Sequence, residues 1–223
     1  METALRLVGA AVVAYLCGSI PWAAIVVRVF WKQDIRELGS GNTGATNVLR
    51  VFGTAPGIAV LLLDAVKGAV AVWLASLFVP VGWTAGAADW FRVLGAVAAV
   101  AGHSFSPWLG FRGGKGVATA AGSIIVLAPR VWPVMLVVFI VVVAIGRMVS
   151  LGSVVLAVLV APVTSIAYPG RWALVLFSVV VGVLVLWRHR TNIARIAHGE
   201  ESKITFRRRM WDEMKRRPDD GGA

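Results

Sequence analysis

Seven apolar runs separated by short polar or Gly/Pro punctuation occupy this chain almost from end to end, at approximately 4–30, 56–80, 91–102, 117–128, 131–146, 151–168 and 171–187. A membrane-crossing helix needs about 20 predominantly apolar residues. Backbone in the hydrocarbon must satisfy its own hydrogen bonds, which leaves helices or closed barrels as spanning structures. Runs this long predict an all-α, polytopic membrane helix bundle of about seven transmembrane helices. Composition agrees, with 58% hydrophobic and only 15% charged residues, where about 25% charged is usual for a soluble domain. A soluble enzyme, a disordered chain and a disulfide-stapled secreted module are excluded. Cys17 is the single cysteine, so no internal disulfide can form. The first run lacks a basic leader and a small-residue cleavage site, and is expected to remain as an anchor.

The runs at 91–102 and 117–128 are short for a crossing and flank a polar loop. Such a pattern is expected where irregular backbone lines a cavity at membrane depth. No internal repeat divides the chain. The expected organisation is a single integral membrane domain over 1–203, followed by a basic cytoplasmic tail over 204–223.

Net charge is +11, with 22 Lys and Arg against 11 acids. In a soluble protein that balance would suggest nucleic acid, but here the question is its side of the membrane. With seven crossings, one side carries Lys32, Arg36, Arg50, Arg112, Lys115, Arg147 and the ten basic residues from Arg188 onward, and the other Arg6, Arg92, Arg130 and Arg171. The positive-inside rule then places the N-terminus outside and the C-terminus in the cytoplasm. Anionic membrane lipid, and not nucleic acid, is the expected contact of the tail.

Three polar segments fall on the cytoplasmic side of that topology. In the first, Gly39 to Arg50, the glycines allow a turn with converging amides suited to an anion. Ser40, Asn42, Thr46 and Asn47 add neutral donors there, and Arg50 can fork two bonds onto a phosphate. The second, Gly110 to Thr119, leads glycines into a helix N-terminus, where free amides and the positive end of the dipole favour phosphate. Lys115 adds a point charge. The segment is not a nucleotide P-loop, which would need glycine where Leu109 stands and Ser or Thr where Gly116 stands. In the third, Trp187 to Lys203, a continuing helix would put His189 and Asn192 on one face. Within the second run Asp64 and Lys67 are three residues apart, close enough to pair. That pair suits either a helix-packing role or a functional one. His103, which ends the third run, is equally consistent with capping or chemistry.

Gly18-Ser19-Ile20-Pro21, the Gly39–Arg50 segment, Asp64 with Lys67-Gly68, Gly102-His103, the Gly113–Thr119 segment and His189 to Asn192 occur together, in this order and spacing. In this the chain resembles the bacterial acyl-phosphate-dependent glycerol-3-phosphate acyltransferases of the inner membrane, over about residues 14 to 203. The resemblance implies a seven-helix membrane bundle that transfers a fatty acyl group from acyl phosphate to the 1-hydroxyl of glycerol 3-phosphate. The product would be lysophosphatidic acid, the first acylated intermediate of phospholipid synthesis. It implies catalytic roles for Ser40, Lys115, His189 and Asn192. Substrate binding would fall to Gly41, Asn42, Thr46, Asn47, Arg50, Asp64, Lys67, His103, Gly113, Gly114 and Gly116. Two positions depart from the family pattern. Ser106-Pro107 stands where proline usually comes three residues after the histidine, and Arg112 replaces a more usual lysine.

The residues suit that chemistry independently. Two phosphorylated substrates match two glycine-rich segments with Arg50 and Lys115. An acyl phosphate is already activated, so positioning and charge stabilisation can supply most of the rate. The His-x4-Asp pair of acyl-CoA-dependent acyltransferases is missing: Trp108, Ala194 and Lys203 stand five residues after the three histidines. The group that accepts the hydroxyl proton is therefore open, with His189 and a substrate phosphate oxygen as candidates. No Cys/His/carboxylate cluster at metal-ligand spacing and no cofactor motif is present. A transporter of a small phosphorylated anion is the alternative, since broken helices and phosphate-friendly loops would serve it too.

Overall fold

The structure is a computed structural model that describes residues 1–203; the basic segment 204–223 lies outside the described residues. Those residues are helical between short connections, as the apolar runs require. Helix α1 (Glu2–Ser19) breaks at Ile20-Pro21 and resumes as α2 (Trp22–Trp31). Proline has no N–H for the helical ladder and its ring clashes with the preceding turn. A 3-10 turn (Ile35–Glu37) leads to α3 (Ala45–Phe52), and Gly53, at φ +96°, turns the chain into α4 (Thr54–Ser76). Then follow α5 (Ala85–Ser104), a 3-10 turn (Pro107–Leu109), α6 (Val117–Leu127), α7 (Val131–Gly146) and α8 (Val149–Ala167). Helix α9 (Trp172–Arg188) bends by 61° into α10 (Arg190–Ala197).

Among the described residues, four segments are long and apolar enough to cross a membrane: Glu2–Trp31, Thr54–Ser76, Ala85–Leu109 and Val149–Ala167. The bent pair α9–α10 would make a fifth. Helix α6 has 11 residues, about 16 Å of helix, roughly half of a ~30 Å hydrocarbon core. The third run, read from sequence as 91–102, belongs to a helix of 20 residues. Asp89 interrupts the apolar pattern ahead of that run. Arg171, at the start of α9, places its Nε 2.7 Å from Asp89, so the buried carboxylate is paired and the helix can continue through it.

Small residues set how closely the helices approach. A Cβ at Gly122 would lie 1.8 Å from the carbonyl oxygen of Ala65, and one at Gly68 would lie 2.1 Å from that of Thr119. Helices α4 and α6 therefore cross backbone against backbone, the packing that glycine permits in membrane bundles. The larger apolar cluster joins α4, α5, α6, α7, α8 and α9, and includes the buried Phe177, Leu174 and Val131. A second cluster packs α2 and α3 on α4 through Val27, Val48, Val51 and Val60.

Asp64 and Lys67 do pair, at 2.8 Å, and Lys67 also donates to the carbonyl of Ile20 at 2.7 Å. That carbonyl sits at the α1–α2 break, so the ammonium ties α4 to it. The turn after α5 is secured to the end of α1 by Ser106 and Trp108. Ser106 donates to the Ser19 carbonyl at 2.7 Å, and the Trp108 indole donates to the Ser19 hydroxyl at 2.9 Å.

Candidate functional site

The three polar segments converge on one cavity of about 120 Å3, walled by the loop before α3, the N-terminal turn of α6, the α9–α10 bend and the start of α8. Ser40, Asn42, Thr46, Asn47, Arg50, Asp64, His103, Lys115, Gly116, His189 and Asn192 all line it. The other four expected site residues, Gly41, Lys67, Gly113 and Gly114, are not among its lining.

The loop before α3 holds its shape through Asn47. This buried side chain accepts from the Ser40 amide at 2.9 Å and donates to the carbonyls of Leu38 (2.9 Å) and Ile35 (3.3 Å). Its amide group is spent on the fold, and what it presents to the cavity is a fixed loop. Gly39 lies at φ +58°, and a Cβ there would meet the Asn47 oxygen at 2.4 Å, so only glycine fits. Gly44, Ala45 and Thr46, the first turn of α3, face the cavity with Arg50 one turn further on. Arg50 makes no ion pair among the described residues, which leaves its fork available to a ligand.

The Gly113–Gly114 reading needs correction. The sequence suggests amides free to cradle a phosphate, yet Gly113 donates to the Ser104 carbonyl and Gly114 to that of His103, both at 3.1 Å. Their own carbonyls accept from the Arg188 guanidinium, at 2.6 Å and 3.1 Å. A Cβ on Gly113 would lie 2.0 Å from the His103 carbonyl oxygen, and one on Gly114 2.2 Å from its Nε2. Both glycines are needed to lay the loop flat on the end of α5. Gly116, Val117 and Ala118 line the cavity instead, and there the first helical amides of α6 lack intrahelical partners. Two helix N-termini, of α3 and of α6, thus face one cavity, an arrangement that favours anions.

Lys115 reaches the Asn192 side-chain oxygen at 2.5 Å, and the Asn192 amide donates to Glu201 at 2.7 Å. Burial, assisted by Arg195, Arg50 and Arg188 nearby, lowers the Lys115 ammonium to about 8 against the pull of Glu201. Glu201 was missed at the sequence level. Burial pushes its carboxyl up, but hydrogen bonds from Arg195 (2.9 Å), Ser150 (2.8 Å) and Asn192 outweigh this and hold it below the usual range. The available signal was an acid within the basic third segment, although nothing there separates Glu201 from Glu200. His189 is buried, with Nδ1 2.8 Å from the Val185 carbonyl oxygen. A carbonyl only accepts, so Nδ1 carries the proton and the neutral ring keeps Nε2 as its acceptor.

Asp64 is matched by Lys67, and Glu201 by Arg195 at 2.9 Å. The acids of the wall are neutralised inside the protein, while Arg50 and Lys115 are not, so the cavity presents positive charge. It also has an apolar neighbour. A groove of about 410 Å3 runs between α4, α6, α7, α8 and α9, lined almost wholly by apolar side chains. Leu61, Val117, Ala118, Phe139 and Ser153 line both spaces. A ligand with an anionic head and a long apolar chain fits that junction. Among the described residues no cluster of three or more His, Cys, Asp or Glu side chains could hold a metal ion.

Comparison with known proteins gives one family. Residues 8–199 match the family model described as glycerol-3-phosphate acyltransferase. Similar proteins include a glycerol-3-phosphate acyltransferase of Parasynechococcus marenigrum, 45% identical over 86% of this chain and 87% of that one. Another, from Listeria monocytogenes, is 42% identical over 91% and 98% of the two chains. Among solved structures, the integral membrane glycerol 3-phosphate acyltransferase PlsY (YgiH) in its glycerol 3-phosphate form superposes with a TM-score of 0.79. Identity is 32%, over 89% of this chain and 96% of that one. The lysophosphatidic acid form of the same enzyme gives 0.78 at 31% identity.

Proposed function

Because the chain belongs to the glycerol-3-phosphate acyltransferase family, we propose that it transfers a fatty acyl group from acyl phosphate to the 1-hydroxyl of glycerol 3-phosphate, forming lysophosphatidic acid. The observation that carries this reading is the junction of a cationic cavity with an apolar groove, sharing five wall residues. Acyl phosphate is an anionic head on an apolar chain and spans both spaces. Glycerol 3-phosphate is a second small anion for the same polar cavity.

In this mechanism the acceptor hydroxyl oxygen attacks the acyl carbonyl carbon, a new ester C–O bond forms, and the C–O bond to phosphate breaks. Phosphate leaves with the electron pair. Arg50, Lys115 and the first amides of α3 and α6 hold the two phosphates and offset the charge that develops. Ser40 and Asn192 orient substrate oxygens. The hydroxyl proton passes to Nε2 of His189 or to a phosphate oxygen. Asp64 and His103 stay at the wall as a paired unit (Nδ1–Oδ1 3.6 Å), with Lys67 behind them, and Gly41, Gly113 and Gly114 shape the loops. Nothing in the reaction requires a metal or a cofactor from this residue set.

The setting proposed with it is the bacterial cytoplasmic membrane. Residues 1–203 form one domain of about seven crossings, with the N-terminus outside, the C-terminus inside and the site open to the cytoplasm. The expected contact of segment 204–223 with anionic lipid lies outside the described residues. Purified protein in lipid, given glycerol 3-phosphate with either acyl phosphate or acyl-CoA, tests the donor. Lysophosphatidic acid is expected from acyl phosphate. Product from acyl-CoA alone would overturn the donor, and product from neither would favour the transporter of a small phosphorylated anion.

A further inference from the structure

Phe139 stands on α7 where the polar cavity and the apolar groove meet, and its ring packs on α8 at Gly152. A Cβ at Gly152 would lie 2.9 Å from Cδ2 of Phe139 and 2.7 Å from a Val143 methyl, so the bare Cα is what lets the ring occupy this position. Its companions in the throat are Leu61, Val117, Ala118 and Ser153, and none of them has an aromatic ring's bulk. The Ser153 hydroxyl donates to the Val149 carbonyl at 2.9 Å, which turns its proton away from the throat.

With the chain of an acyl phosphate in the groove and its phosphate in the polar cavity, the carbonyl carbon that joins them lies in this throat. That carbon has two possible attackers of similar chemistry. The acceptor hydroxyl yields an ester and phosphate; water, by the same bond changes, yields a fatty acid and phosphate. Similar nucleophiles are separated by what reaches the carbon, and closing a site to water is how such side reactions are suppressed.

We propose that Phe139, held in place by Gly152, shields the reacting carbonyl from water and so sets the preference for transfer over hydrolysis. The inference rests on the acyl-phosphate reading of the site. It gives Phe139 a shielding role and no bond to make or break.

The test measures free fatty acid against lysophosphatidic acid formed from acyl phosphate and glycerol 3-phosphate by the full-length protein in lipid, corrected for spontaneous hydrolysis. Phe139→Ala should raise that ratio at least tenfold, whereas Phe139→Leu, which keeps most of the bulk, should stay near wild type. Gly152→Ala, which displaces the ring without removing it, should move the ratio in the same direction as Phe139→Ala. A folded Phe139→Ala protein with the wild-type ratio overturns the shielding role while leaving the enzyme assignment intact. If that variant does not fold, a wild-type ratio in Gly152→Ala overturns it equally. A wild-type protein that makes no lysophosphatidic acid from acyl phosphate overturns the donor reading, and the shielding role falls with it.

Discussion

Lys115 shows how far one side chain's environment decides its use. An exposed lysine stays cationic far above neutral pH, but burial brings this ammonium to about 8. A lowered lysine value means the charge is present below about pH 8 and lost above it. If the ammonium grips a phosphorylated substrate, kcat/KM for free enzyme and substrate should fall as pH rises through about 8. Lys115→Arg, whose guanidinium stays charged, should lose that alkaline limb. Lys115→Ala should cost more than tenfold in kcat/KM at neutral pH, about 1.4 kcal/mol. A pH–rate profile of the three proteins checks all of this, and an unchanged profile would reduce Lys115 to a topological charge. His189 calls for a different expectation. Its Nδ1 proton is committed to Val185, and a substrate phosphate can also accept the acceptor's proton, so His189→Ala should lower turnover without abolishing it. A folded, substrate-binding variant with no measurable turnover would make the histidine the obligatory base.

At the scale of elements, the second glycine segment is a strap fastened on both sides. The amides of Gly113 and Gly114 go to the end of α5 and their carbonyls to Arg188 at the end of α9. The guanidinium also lies over the rings of Phe105 and Trp187, at 5.7 Å and 5.9 Å. Arg188 thereby turns Lys115 and the start of α6 toward the cavity. Arg188→Ala frees two carbonyls at once, so KM for a phosphorylated substrate should rise by roughly tenfold or more, given about 1.5–3 kcal/mol for charged hydrogen bonds. Arg188→Lys can reach one carbonyl but cannot fork, and should fall between. Equal KM values for all three proteins, measured with each substrate varied in turn, would remove Arg188 from this role. Helix α5 teaches a related lesson. Its buried Asp89 is paired with Arg171, 82 positions away, a contact that no local pattern records.

At the scale of the whole molecule, the polar segments were legible because such sequences are costly in a chain this apolar. Ser40, Arg50, Lys115, His189 and Asn192 stand out against their surroundings, and the structure brings all five to one cavity. The helical class was legible from run length for the same reason. What could not be read is what depends on where helices cross. Phe139 and Ser153 sit in apolar runs like any lipid-facing position, and only the packing of α7 on α8 puts them at the junction. Gly113 and Gly114 read as anion-binding glycines until α5 is seen to consume their amides. The two spaces themselves arise from the close crossing of α4 and α6, and from a short α6 whose N-terminus starts at the cavity wall.

The central claim is that the cationic wall of the polar cavity grips the phosphates of an acyl-transfer reaction. It is tested most directly by the initial rate of lysophosphatidic acid formation from acyl phosphate and glycerol 3-phosphate in lipid, for the wild type and for Arg50→Ala/Lys115→Ala. The account predicts turnover by the wild type and, in a double variant of unchanged Tm, a loss of at least a hundredfold in kcat/KM, about 2.7 kcal/mol. A folded double variant that keeps the wild-type rate, or a wild type without product, would contradict it.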